Sequence, residues 1–289
     1  MKNICIIGNS VAGLTCAKTI RENDKESKIS IISDESHLPY QRYKLLNFLR
    51  QEIRELELFK PYTDFYKQNN IELINNIVVS FDASKKRLYY KEKGYLEFDV
   101  LVVATGRKPA LPEIKGINKK GIIALHKLDD IKQIIEILPL IHTVGIVGGN
   151  NIAQSLVEFF VNNKVDVKLI SSAINITIDS NHVEQISNLE VQEVLGNGDI
   201  KAMRFTNNKV VGVNLLIYTD VLVPNISLVK DAGVECGKGI LVDSLTMSTN
   251  IKDVYAAGDV TEVRGEEKIF AWDRAEQEGI KTGRYICQI

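Results

Sequence analysis

Two stretches of this chain place glycines where a backbone has to come close to an anion. The first is Gly8-Asn9-Ser10-Val11-Ala12-Gly13, directly after the apolar run Ile4–Ile7. A buried strand that ends in a glycine turn and opens a helix is a cradle for a dinucleotide pyrophosphate. Gly8 permits the tight turn, and Gly13 lets the helix pack close against the strand. The helix N-terminus then offers unpaired N–H groups and a partial positive charge to the phosphates. Ser10 stands where the G-x-G-x-x-G pattern has its middle glycine; serine is small, so close approach is merely harder. The second stretch is Gly148-Gly149-Asn150-Asn151-Ile152-Ala153, after the strand-like Thr143–Val147. It repeats the opening theme about 140 residues further on, which makes an internal duplication the expectation. Here Asn150 puts a larger side chain at the middle place.

The strand Lys28–Ser33 is followed by Asp34 and Glu35, about 25 residues after Gly8, where a dinucleotide fold keeps an acid for ribose hydroxyls. Both acids compete for that role. After the corresponding second strand, Val165–Ile170, the residue in that place is Ser171, and no basic residue stands in for one that would meet a 2′-phosphate.

The remaining side chains offer little chemistry of their own. Cys5, Cys16, Cys236 and Cys287 form no C-x-x-C pair and no metal-ligand spacing with a histidine. Cys5 and Cys16 fall in the first strand and helix, where cysteine serves as a small buried hydrophobe. His37, His126, His142 and His182 are scattered, without a nucleophile–base pattern. No metal site is expected, and any reaction would be carried by a cofactor.

These turns need elements to hold them. At 289 residues two lobes are expected. Apolar residues make up 45%, charged residues 25%, and the net charge is −1, which gives no electrostatic reason for nucleic acid or an anionic membrane as partner. No apolar run reaches the ~18–20 residues of a bilayer span. The N-terminus enters a strand without a signal-peptide pattern, so a cytoplasmic location is expected. Asp99–Ala104 is a near-continuous apolar run of the buried parallel type, closed by Thr105-Gly106. Residues 78–98 and 190–213 alternate with turn residues as small antiparallel meanders. A helical pattern over Ile131–Leu138 stops at Pro139, and the last helix runs from about Trp272 to Cys287. Between Ile170 and the second meander the chain looks too short for the usual helix and strand.

Four stretches together resemble the FAD-dependent pyridine nucleotide–disulfide oxidoreductases: the Gly8–Gly13 turn, Pro39-Tyr40-Gln41-Arg42, Ala104-Thr105-Gly106 and Tyr255-Ala256-Ala257-Gly258-Asp259. The nearest branch is similar to the rubredoxin reductases and the flavoprotein region of nitrite reductase large subunits. Trp272-Asp273-Arg274-Ala275-Glu276-Gln277-Glu278-Gly279 resembles that family's W-x-x-A-x-x-Q-G helix, with Glu278 in place of glutamine. The resemblance implies an α/β fold of two three-layer Rossmann-like domains of the glutathione-reductase type. An FAD domain would comprise 1–115 plus 222–289, with a reduced NAD(P)-binding-like domain over 116–221. It implies FAD held by Gly8, Ser10, Val11, Ala12 and Gly13, by Asp34 or Glu35, and by Arg42 beside the ring or the pyrophosphate. Ala104, Thr105, Gly106, Gly258 and Asp259 complete the set, with Asp259 on the ribityl chain and Ala271, Trp272 and Ala275 at the helix end facing the flavin. A positive helix end there stabilises charge on reduced flavin.

The departures shape the expected function. Where the disulfide branch has its cysteine pair, residues 36–47 contain none, so electrons would pass directly between flavin and partner. Gly148, Gly149, Asn150, Asn151 and Ile152 are the candidate NAD(P)H contacts. Asn150, Ser171, Ser155 (for the usual glutamate) and Tyr218-Thr219-Asp220-Val221 (for a second Ala-Thr-Gly-like turn) all weaken that site. The resemblance ends near residue 283, before the C-terminal interface domain that such proteins typically carry, and a chain without that domain is expected. Two functions follow as expectations. One is an oxidoreductase moving electrons between NAD(P)H and a small redox protein such as rubredoxin or ferredoxin. The other is an FAD-binding electron-transfer or assembly subunit of a complex, without a working nicotinamide site.

Overall fold

A computed structural model describes residues 1–171 and 181–288. The chain forms two compact units. In chain order the elements that matter for the site are strand β1 (Asn3–Ile7), helix α1 (Val11–Asn23), β2 (Lys28–Ser33), α2 (Leu45–Leu49), β3 (Glu72–Asn75) and β4 (Val100–Val103). They continue as β5 (Ile122–Ala124), α3 (Leu128–Ile137), β6 (Thr143–Val147), α4 (Asn151–Asn162), β7 (Asp166–Ile170), β8 (Val183–Ile186), β9 (Leu215–Tyr218), β10 (Val254–Ala256) and α5 (Trp272–Ile286).

The first unit comprises Met1–Gln41, Phe59–Lys108 and Val223–Ile289. Its sheet has the order β3-β2-β1-β4-β10, and all of its neighbouring strands are parallel. Both faces are covered, which explains why β1 and β4 read as continuous apolar runs. Ile4, Ile6, Val100 and Val102 face a layer containing α1 and α5, while Cys5, Ile7, Leu101 and Val103 face the meander of residues 78–97. Alternate residues thus serve opposite cores, as the two-residue strand period requires. The chain runs from β1 outward to β3 on one side and places β4 and β10 on the other. The topological switch therefore lies between β1 and β4, and ligands in such sheets bind at the carboxyl ends of the strands beside it.

Helix α5 crosses α1 at very short range. A Cβ built on Gly279 would come 2.4 Å from the Ala12 carbonyl oxygen and 2.2 Å from Thr15 Oγ1, and one on Gly283 would come 2.8 Å from the Cys16 carbonyl oxygen. Ala275, Gly279 and Gly283 are spaced by four, so small residues form one smooth ridge that lets the backbones meet.

The second unit comprises Arg42–Leu58 and Pro109–Leu222. Its parallel sheet has the order β8-β7-β6-β9-β5. The antiparallel meander of residues 191–212 packs on one face through Met203, Phe205 and Val211. Two expectations change here. Residues 42–58 belong to this unit, because α2 lies against α3 and α4, and Glu55 pairs with Lys132 at 2.6 Å. The sheet also has an outer strand after β7, where the chain looked too short for one. β8 pairs with β7, but as an edge strand it carries two exposed polar residues in a row, Glu184 and Gln185, before buried Ile186, which masks it in the sequence.

Tyr218, at the end of β9, is 3% exposed, and its hydroxyl finds no partner among the described residues. Burial pushes its phenol up to about 12. Leaving such a donor unsatisfied costs about 1–3 kcal/mol, so Tyr218→Phe is expected to raise stability by about 1 kcal/mol in a urea titration. A lowered midpoint would show that the hydroxyl is paired in solution.

Candidate functional site

The first glycine turn leaves β1 at the switch point. Gly8 has φ +124°, and a Cβ there would lie 2.1 Å from the carbonyl oxygen of Ala104, so only glycine lets the β1 and β4 turns meet. The Gly8 N–H donates to the Ile32 carbonyl at 2.9 Å, fixing the turn to the end of β2. Gly13 touches the turn from within α1, since its added Cβ would sit 2.1 Å from the Gly8 carbonyl oxygen. Ser10 is the N-cap of α1 but its side chain makes no cap hydrogen bond, and no acid stands in the first turn. The positive end of α1, with Val11 and Ala12 in its first turn, therefore has no anion in its own cap or first turn. A pyrophosphate fits that arrangement.

Gly258 arrives at the same place from β10. A Cβ on it would come 2.7 Å from that of Ala12 and 3.7 Å from that of Ala275. The structure thus brings together Gly8, Ala12, Gly13, Ala104, Gly258 and Ala275. Thr105 donates its hydroxyl to the Asn225 carbonyl at 2.9 Å, and Gly106 accepts the Asn225 N–H at 2.8 Å. Ala271 is the N-cap of α5 and Trp272 its first residue; the N-cap has no side-chain hydrogen bond.

Asp34 and Glu35 follow β2. Asp34 is exposed, while Glu35 accepts the Tyr40 hydroxyl at 2.9 Å. Arg42 packs with the second unit, where its Nη1 donates to the His126 carbonyl at 3.3 Å.

Asp259 shows a partner that sequence reasoning missed. Its Oδ2 accepts Arg107 Nε at 2.8 Å, and the Arg107 guanidinium lies over the Phe270 ring at 4.5 Å. Burial pushes the Asp259 carboxyl up, against the opposing pull of Arg107 and Lys268. The only signal was Arg107's place directly after Ala104-Thr105-Gly106. Behind this turn sits a second missed cluster. The Glu278 carboxylate, 6% exposed, accepts Gly258 N–H at 2.9 Å, Thr261 Oγ1 at 2.8 Å, Lys268 Nζ at 2.8 Å and Arg274 Nε at 3.2 Å. The charge added where the resembling helices carry glutamine is balanced by Lys268 and Arg274.

All four cysteines are free thiols. Burial pushes the Cys5 thiol up to about 12 and raises those of Cys16, Cys236 and Cys287, so none is a ready thiolate. Among the described residues no cluster of ligands could hold a metal. No helix there is long and apolar enough to cross a membrane.

The second turn has the same frame with different contents. Gly148, φ +142°, donates its N–H to the Ile170 carbonyl at 3.0 Å, as Gly8 does to Ile32. Here, however, Asn150 caps α4 by accepting Ala153 N–H at 2.9 Å, and Asp220 Oδ2 accepts Gly149 N–H at 2.9 Å. Asn151 and Ile152 form the first turn of α4. Ser171, in the place of the expected acid after β7, donates its N–H to the Ile186 carbonyl at 3.3 Å, and residues 172–180 lie outside the described residues.

Comparison with known proteins agrees with this architecture. The chain is 25% identical over 281 residues to nitrite reductase [NAD(P)H] of Bacillus subtilis, covering 91% of this chain and 35% of that one. It is 26% identical to the ferredoxin–NAD(+) reductase subunit of the benzene 1,2-dioxygenase system of Pseudomonas putida, covering 89% of this chain and 67% of the relative. Putidaredoxin reductase, solved in covalent complex with putidaredoxin, superposes with a TM-score of 0.89 at 20% identity, over 99% of this chain and 75% of that one, which shows the shared fold. Residues 2–279 match the model of the pyridine nucleotide-disulphide oxidoreductases, and the chain belongs to that family of FAD- and NAD(P)H-using oxidoreductases.

Proposed function

We propose that the chain is an FAD-dependent oxidoreductase whose flavin exchanges electrons with a small redox protein, without a cysteine pair as relay. The observation that carries this is the uncapped positive end of α1 at the switch point, where Gly8, Ala12 and Gly258 converge. In this reading Gly8, Ser10, Val11, Ala12 and Gly13 hold the FAD pyrophosphate, and Glu35, oriented by Tyr40, takes the adenosine ribose. Asp259, with Arg107 fixing its carboxylate, takes the ribityl chain, and Ala271 and Trp272 present the α5 N-terminus to the ring. Bound FAD accepts a hydride and releases single electrons. The redox-protein partner is supported by the relatives, whose names include a ferredoxin–NAD(+) reductase subunit and a putidaredoxin complex.

Two electron sources suit such a flavin. One is NAD(P)H on the second unit, as the name of the nitrite reductase relative suggests. The other is a second protein, with the chain serving as an electron-transfer or assembly subunit. The carboxylate of Asp220 on the Gly149 N–H favours the second.

Titrating FAD into apoprotein tests the main reading. Quenching of flavin fluorescence at stoichiometric protein, and a yellow complex that survives desalting, are expected. A chain that remains colourless after FAD is supplied would leave the fold as a scaffold without its cofactor.

A further inference from the structure

The chain contains its own control for the second glycine turn, because the two sheets can be laid on each other by strand register. In the first unit Ile7 pairs with Val103; in the second, Val147 pairs with Tyr218. The next ladder bonds agree: Ala104 N–H donates to Ile7 O, and Thr219 N–H donates to Val147 O. Thr219 therefore corresponds to Ala104, Asp220 to Thr105 and Val221 to Gly106. In the same frame Gly149 corresponds to Asn9, Asn150 to Ser10 and Ala153 to Gly13.

The contents of the two cradles differ in one direction. Ser10 leaves its helix end uncapped, whereas Asn150 claims the Ala153 N–H with Oδ1 at 2.9 Å and donates from Nδ2 to the Thr219 carbonyl at 3.4 Å. Thr105, which is neutral, turns its hydroxyl to the Asn225 carbonyl. Asp220 instead seats a carboxylate on the Gly149 N–H, with its other oxygen accepting Thr219 Oγ1 at 3.3 Å. A Cβ added at Gly148 would lie 2.0 Å from Thr219 Oγ1 and 3.0 Å from Asp220 Oδ2, so side chains stand against this turn where the first has the Ala104 backbone. Among the described residues no lysine or arginine pairs with Asp220.

We propose that Asp220, assisted by Asn150, is the residue that decides nucleotide specificity in the second unit: its carboxylate takes the place of the pyrophosphate and excludes NADH and NADPH. The turn is not idle but already satisfied. An incoming diphosphate would meet a like charge at short range and would have to displace two hydrogen bonds that the protein makes for itself. This extends the second electron-source reading, and it stands on unit-two geometry alone.

Calorimetric titration of NADH, and separately of ADP-ribose, into protein held in excess FAD tests it. Wild type should show no saturable binding up to about 1 mM, the weak end of ordinary substrate affinities. The double variant Asn150→Ser, Asp220→Thr, which installs the first unit's own residues, should bring binding into the micromolar range, a gain of about a hundredfold. Asp220→Asn keeps an acceptor on Gly149 and removes only the charge, so it should fall between the two. Micromolar binding by wild type would overturn the proposal whatever the variants do. Folded variants that remain as blind to nucleotide as wild type would overturn Asp220 as the excluding group. Failure of the FAD reading would appear separately, as loss of the flavin band, with the comparison of wild type and variants unaffected.

Discussion

Replacing Glu278 by alanine is expected to lower the stability of the chain by about 3–5 kcal/mol, the usual cost of removing one partner from a buried ion pair. Lys268, whose side chain is 13% exposed, would lose its carboxylate, and the Gly258 N–H and Thr261 hydroxyl would each lose an acceptor. The pair itself need not be strongly stabilising, since desolvation offsets most of its attraction. A double variant, Lys268→Met with Glu278→Leu, should therefore recover the part of the loss that comes from the unpaired lysine, while the Gly258 N–H stays without this acceptor. Urea unfolding of wild type, the single variant and the double variant provides the check. If Glu278→Ala unfolds within about 1 kcal/mol of wild type, the cluster is not a closed network in solution. FAD affinity should fall with the single variant too, because Glu278 holds the turn that presents Asp259.

The second large effect is expected at the crossing of α1 and α5. Gly279→Val would drive a branched side chain into the Ala12 carbonyl and the Thr15 hydroxyl, and backbone on the far side has nowhere to go. Overpacking of this kind costs about 3 kcal/mol, with larger losses where main chain must shift. For a chain of this size that is roughly 5 °C in the thermal midpoint. Since Ala12 belongs to the first turn of α1, the displaced helix should also lose flavin. A variant that melts like wild type and remains yellow would mean the helices cross further apart than described. Gly283→Ala, with its closest backbone approach at 2.8 Å, should be the milder change.

The legible parts of this molecule are those in which a backbone requirement bars most side chains. Gly8, Gly13 and Gly258 announce themselves because no other residue fits their turns, and the doubly buried strands β1 and β4 announce themselves by unbroken apolar runs. What stayed hidden depends on distant pairing. Arg107 meets Asp259 across 152 residues, and Gly149 meets Asp220 across 71. Neither member of these pairs is unusual where it stands in the sequence. Asp220 was visible only as a departure from an Ala-Thr-Gly-like turn, not as an occupant of the cradle. Strand β8 was hidden for another reason: an edge strand buries little, and its polar residues imitate a loop.

The first unit is threaded from three separated stretches of chain, and that has a consequence for how the protein is made. As the polypeptide leaves the ribosome, α1 emerges long before α5, which covers it. At about 5–20 residues per second the interval is roughly 15–50 s. The second unit, complete once residue 222 is out, can close during that time. Meanwhile β4 lacks its neighbour β10 and α1 keeps its buried face open, so the four strands already made form a sticky nascent intermediate. Premature release anywhere before α5 would strand the flavin-binding unit unfolded beside a finished second unit. Such fragments are expected to be the ones that chaperones retain and proteases clear.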